Sequence, residues 1–265
     1  MLPGIVGHRH FSHQAIALNR SSPQAKDLRI AIPMAEGRGR GLTYWSSDQG
    51  GNHAGTYGVP MRAHTDFSDG QIDWVSRPSP LKKPSLNILT GNSIQPIYTP
   101  LIGAIGLFFR FNGAWTDGNH SHLLQGVAST AELFFQSATS LSLWGKPNVV
   151  SLSTNVFDGR FHHLLQSFDS NGVFRVYVDG RQEALSALTP MAAESYITRL
   201  GTNSAGAAMS GQLCDIRVYD RVLTARDVRE LVRNPQELYK LSPGKFALPP
   251  SASSGDGYVS DWFGV

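Results

Sequence analysis

Nine histidines and twenty carboxylates carry most of the reactive chemistry of this chain, and their spacing decides what that chemistry could be. His8, His10 and His13 form an H-x-H-x-x-H cluster near the N-terminus. Three imidazoles could ligate a metal. However, no carboxylate or cysteine joins them at a standard ligand spacing, and a metal site needs convergent ligands on a rigid support. The cluster therefore reads as a polar arm, with His8 and His10 as candidate partner contacts. His162-His163 looks like an acid–base pair in isolation, but the surrounding F-H-H-L-L-Q-S-F alternates with the period of a strand, so the pair reads as packing residues. The glycine-rich E-G-R-G-R-G (Glu36 to Gly41) lacks the G-K-[ST] ending of a phosphate loop, and no helix follows it. There is no G-x-S-x-G and no Ser/His/Asp set. Calcium needs several oxygens converging at one point. Asp48, Asn52, Asp66 and Asp69 fall in expected loops, and Asp169, Asn171 and Asp179 fall in hairpin turns that explain them without metal. No cofactor is expected, and no metal ligand is assigned.

Composition narrows the classes further. The chain has 265 residues, 41% of them hydrophobic, which suffices for one sizeable β domain. Its net charge of +3 is small for the length. The basic residues are scattered, with only modest runs at Arg38, Arg40 and Lys82-Lys83, so they read as a solvated surface rather than a nucleic-acid footprint. The single Cys214 makes no intramolecular disulfide and reads as a small core residue. No apolar run reaches the roughly 18 residues of a membrane helix. The opening M-L-P-G-I-V-G-H-R-H lacks a signal-peptide core, so a soluble protein assembled in the cytoplasm is expected.

The elements that must position these residues are mostly strands. Leu28, Ile30 and Ile32 share one face of a first strand. Arg77 to Pro84 carries three prolines and cannot be a central strand. Short strands are expected around Leu86–Leu89 and Ile94–Tyr98. From Ile105 onward, alternating segments recur at short, regular intervals, as in a sandwich. Asn171-Gly172 and Asp179-Gly180 are hairpin turns. In L-C-D-I-R-V-Y, Leu213, Asp215, Arg217 and Tyr219 alternate with a core face of Cys214, Ile216 and Val218, so Asp215 and Arg217 can pair. The period then changes. Thr224-Ala225-Arg226-Asp227 starts a helix with a capping box, and Asn234-Pro235 stops it. The end of the chain is rich in Pro, Ser and Gly and closes on Tyr258, Trp262 and Phe263, which read as anchors into a partner or into the chain's own surface.

The run F-D-G-R-F-H-H-L-L-Q-S-F-D, then F-R-V-Y-V-D-G-R, I-T-R-L-G-T-N and G-Q-L-C-D-I-R-V-Y-D-R-V-L-T-A-R-D-V-R-E-L, over about residues 158–233, resembles the laminin-G-like, concanavalin-A-like domains. Upstream, A-I-P-M-A-E-G and G-G-N-H-A-G-T-Y-G are similar to that family's opening elements. The resemblance implies an all-β, two-sheet antiparallel jelly-roll sandwich with a short C-terminal helix. It divides the chain into an N-terminal arm (1–26), the domain (27–241) and a C-terminal tail (242–265). N-P-Q-E-L-Y-K (Asn234 to Lys240) resembles the end of this domain in bacteriophage structural proteins.

The superfamily holds binders, hydrolases, adhesion modules and viral surface proteins, so fold alone does not choose a function. A hydrolase of this fold needs paired carboxylates on one strand face. None of Glu36, Glu132, Glu183, Glu194, Glu230 or Glu237 begins the E-x-D-x-x-E pattern of those members. The favoured expectation is a non-enzymatic virion protein, a capsid decoration or cement protein docking on the major capsid protein, on other virion proteins or on copies of itself through its arms. The alternative is a carbohydrate- or receptor-binding module on a capsid or tail, with Trp45, Trp115 or Trp144 stacking on a cell-surface glycan. Nucleic acid and membrane are not expected partners.

Overall fold

The computed structural model describes residues 16–34, 41–46, 61–66, 71–75, 80, 85–90, 93–99, 103–115, 121–126, 132–144, 149–187, 195–202 and 209–241. In chain order these form β1 (Ile16–Leu18), β2 (Leu28–Ile32), β3 (Gly41–Ser46), β4 (Met61–Asp66), β5 (Gln71–Val75), β6 (Ser85–Thr90), β7 (Ser93–Thr99), β8 (Gly103–Phe111) and β9 (Ser121–Gly126). They continue with β10 (Glu132–Ser137), β11 (Ser140–Ser142), β12 (Val149–Ser151), β13 (His162–Phe168), β14 (Val173–Val178), β15 (Arg181–Ala187), β16 (Ser195–Leu200), β17 (Gly211–Tyr219), α1 (Ala225–Arg233) and β18 (Tyr239–Leu241).

Two antiparallel sheets face each other. One has the order β12-β11-β10-β9-β16-β7; Pro96 interrupts β7 at its edge, where a missing ladder donor is tolerated. The other runs β15-β14-β13-β8-β17-β2-β3-β4, with the β5–β6 hairpin paired to the start of β17. Between them lies the main core, with Leu133, Phe135 and Leu141 from the first sheet and Leu107, Phe109, Leu164 and Val218 from the second. Gln166 crosses this core. Its Oε1 accepts from the Trp144 backbone N–H at 2.8 Å, and its Nε2 donates to the Trp144 carbonyl at 3.0 Å. A buried amide satisfied on both sides stitches the sheets together without the penalty of an unpaired polar group.

The outer face of the larger sheet is covered too. α1 lays Val228 and Leu231 over Leu165, Tyr177 and Tyr219, which is why β13 and β17 are buried along their whole length. Thr224 caps α1 as expected: its Oγ1 accepts from the Asp227 N–H, and Asp227 Oδ2 accepts from the Thr224 N–H. The Asp179-Gly180 turn has φ of 50° and 82° at its two central residues, the geometry that matches strand twist in a two-residue hairpin.

Two β-bulges correct the simple alternation. β17 carries an extra residue between Cys214 and Arg217, at Asp215 (φ 53°), so Leu213 joins Cys214, Ile216 and Val218 in the main core, where Cys214 pairs with Phe108. β2 carries an extra residue at Arg29, which puts Leu28 with Tyr219 rather than with Ile30 and Ile32. β3, β4 and β15 form where no strand is expected from the sequence.

Candidate functional site

Three polar clusters stand out. The first lies where the two ends of the domain meet. β1 pairs antiparallel with β18 in the register Ile16↔Leu241, Ala17↔Lys240, Leu18↔Tyr239. Residues 16–26, part of the expected N-terminal arm, thus pack against the end of the domain. The Asn19 N–H donates to the Leu238 carbonyl at 2.7 Å, and Asn19 Nδ2 donates to the Glu237 carbonyl at 2.9 Å. Gln24 Nε2 reaches the Asn234 carbonyl at 2.8 Å, beyond the C-terminus of α1. Beneath it, Arg217 is fully buried. Its Nε and Nη2 donate to the two oxygens of Asp215 at 2.9 and 2.5 Å, its Nη1 donates to Gln24 Oε1 at 2.6 Å, and Nη2 also donates to the Pro235 carbonyl. The Tyr239 hydroxyl donates to Asp215 Oδ1 at 2.5 Å. Burial disfavours the cation, but the Asp215 carboxylate overcomes it and holds the guanidinium pKa above its ordinary value. The pairing of Asp215 with Arg217 expected from the sequence forms, and the bulge at Asp215 aims both at the terminal segments. A cleft of about 400 Å³ opens beside this cluster between Pro23, Tyr219, Leu223 and α1.

The second cluster surrounds His162. Its Nδ1 lies 2.7 Å from Asp179 Oδ2 and its Nε2 lies 3.0 Å from Asp158 Oδ1. Asp179 Oδ1 also accepts from the His163 N–H at 2.8 Å, and Asp158 Oδ1 from the Arg160 N–H at 2.8 Å. The hydrogen bond to Asp179 raises the His162 pKa, against the cost of burial and with help from Asp158. The hydrogen bond from His162 lowers that of Asp158. For Asp179, burial pushes upward, but the bonds from His162 and His163 outweigh it and lower the pKa. His163 faces the other side against Phe108, with ring centroids 4.6 Å apart, and burial pushes it down to about 3. Both histidines are buried, as packing residues should be.

The third cluster is on the smaller sheet, where His122 and Gln125 are buried and Glu132 and Phe134 are half-buried. The His122 and Phe134 rings stack at 4.6 Å and 20°, and Gln125 Nε2 donates to Glu132 Oε1 at 2.7 Å. The register places Arg199 beside Gln125. An amide, a carboxylate and an aromatic ring in one row are groups suited to a polyhydroxyl ligand.

The partner-contact candidates His8, His10, Tyr258, Trp262 and Phe263 lie outside the described residues, as do His13, Glu36, Asp48, Asn52, Asp69 and Glu194 and the side chains of Trp45 and Asp66. Trp144 is buried and presents no ring to a sugar; Trp115 is half-buried, edge-on to Phe157 at 5.1 Å. Glu183 is consumed by Ser153 and Thr154, whose backbone N–H and hydroxyl groups all donate to it. Asp169 accepts from the Asn171 and Val173 N–H groups, as its turn requires. Among the described residues no group of three or more His, Cys, Asp or Glu is arranged to hold a metal ion. Sequence reasoning missed Gln24, whose link to Arg217 spans 193 positions and leaves no local pattern.

Residues 103–229, just under half of the chain, match the Laminin_G_3 family model, described as the concanavalin A-like lectin/glucanases superfamily. No curated protein matches the chain. Among solved structures, a Trypanosoma rangeli sialidase in complex with sialic acid is similar at 12% identity and TM-score 0.52, over 79% of this chain and 33% of that one. The binding domain of Paraclostridial Mosquitocidal Protein 1 is similar at 10% identity and TM-score 0.52, over 80% of this chain and 53% of that one. The binding domain of botulinum neurotoxin serotype D/C is similar at 8% identity and TM-score 0.51, over 80% and 53%. The chain therefore spans a third to about half of these relatives, and at such identities the likeness is one of fold. The described residues form a mostly β, concanavalin-A-like sandwich with one short helix near their C-terminal end, and the stretch from β8 into α1 is the part that matches this family model.

Proposed function

We propose that the protein is a non-enzymatic virion component, a capsid decoration protein that docks on the major capsid lattice through its two terminal segments. The observation that carries this reading is the β1–β18 pair, which sets Ile16 and Leu241, the first and last described residues, side by side. Attachment to one neighbour through sequence on both sides of this pair makes the second contact intramolecular, so it gains effective concentration. The virion assignment rests on the resemblance of Asn234 to Lys240 to the domain ends of bacteriophage structural proteins. The test is co-sedimentation with capsid shells from the same genome, using the full chain and a chain lacking residues 242–265. Binding falls at least tenfold on deletion if the tail anchors the protein; undiminished binding refutes the anchoring.

A second reading, a glycan-binding module, is favoured by the Gln125–Glu132 and His122–Phe134 row. A glycan array with and without calcium tests it. Binding lost on Glu132→Gln supports it, and no binding on any glycan removes it.

A further inference from the structure

We infer that His162 is a charged bridge, an imidazolium that latches the 157–160 turn onto the Asp179-Gly180 hairpin and releases it as pH rises. The geometry requires the charge. Both ring nitrogens face carboxylate oxygens, at 2.7 and 3.0 Å. A neutral imidazole has one N–H, so it could serve one carboxylate only and would present a lone pair to the other. Asp179 is the fixed end: it stands in the left-handed region at φ 50°, and its other oxygen is tied to the His163 backbone. Asp158 is the releasable end, on a turn otherwise held at this point by its own Arg160 N–H. The groups facing the ring from the packed elements are Asp158 from the preceding turn, Asp179 from the β14–β15 hairpin and the Phe109 ring from β8, at 6.1 Å. Arg160 lies 3.7 Å from Asp158 but is largely exposed, and Arg229 of α1 packs on Gly180 next door.

The consequence reaches the core. The same turn carries Phe157, which stacks on Phe111 at 4.2 Å and 10° and meets Trp115 edge-on. The raised His162 pKa gives stability that is complete below the unfolded imidazole value of about 6.5 and lost as pH climbs through the folded value. The lowered Asp158 and Asp179 pKa values give stability that is present above the ordinary carboxylate range and lost as pH falls through their folded values. The latch is tightest in mild acid.

Imidazole ¹⁵N NMR of the full chain, titrated across neutral pH, tests this. We expect His162 to be doubly protonated at pH 6, with a midpoint above about 6.5. Asp158→Asn should shift that midpoint downward, and amide exchange over residues 157–160 should accelerate past the midpoint by more than the base-catalysed rise of a free peptide. A single neutral tautomer at pH 6, a midpoint at or below the free value, or one unmoved by Asp158→Asn overturns the bridge. A high midpoint with no added exchange overturns the release. If the variant does not fold, the wild-type titration and exchange decide both points.

Discussion

His162 and His163 are neighbours on one strand and behave as opposites. His162 lies on the core side at the rim, where two carboxylates raise its pKa. His163 lies on the helix-covered side, where burial, reinforced by the Arg217 cation, holds it neutral down to about pH 3. The difference is one of compensation. A buried charge persists where partners replace its lost water, as Asp215 and Gln24 do for Arg217, and is suppressed where they are lacking. The outer face of the larger sheet is therefore built on a permanent charge and the rim on a titratable one.

The largest effect is expected at the permanent charge. Asp215→Ala leaves the Arg217 guanidinium buried without its carboxylate and should cost about 3–5 kcal/mol in urea denaturation. Replacing both residues by apolar side chains of similar volume should cost less than the single change. His163→Leu sharpens the acid limb. The His163 pKa is lowered from about 6.5 to about 3, so the unfolded chain binds the extra proton and stability falls as pH drops through that window. Removing the ring should recover on the order of 3 kcal/mol of that acid-dependent loss at pH 4, visible as a flatter stability–pH profile. Gln24→Ala removes the acceptor for Arg217 Nη1 and should cost about 1–2 kcal/mol, with faster amide exchange in β1 and β18. His162→Gln is the smallest. Its carboxylate partners are partly exposed, so about 1 kcal/mol is expected near pH 6, shrinking as pH rises, which is the reverse of the His163 trend.

The fold was readable in the sequence wherever one face of a strand alternates cleanly or a turn needs a special residue. β13, β14, their hairpins and the capped helix follow from F-H-H-L-L-Q-S-F, Asn171-Gly172, Asp179-Gly180 and Thr224-x-x-Asp227. Alternation fails at the bulges of Asp215 and Arg29, because one inserted residue reverses the faces and no local pattern announces it. It also misses β15, where R-Q-E-A-L-S-A is too polar to signal a strand and the hairpin with β14 decides. Of the candidate sites, the pairing of Asp215 with Arg217 was visible as a same-face pair. Gln24 and the doubly held His162 were not, since their partners come from distant segments.

Docking through the β1–β18 end can be seen by cryo-electron microscopy of capsid shells decorated with the full chain. The proposal predicts that the Ile16–Leu241 end of the sandwich faces the lattice, with density continuing from both residues into the shell. A sandwich seated by the outer face of its smaller sheet, with the paired termini directed away, would contradict it.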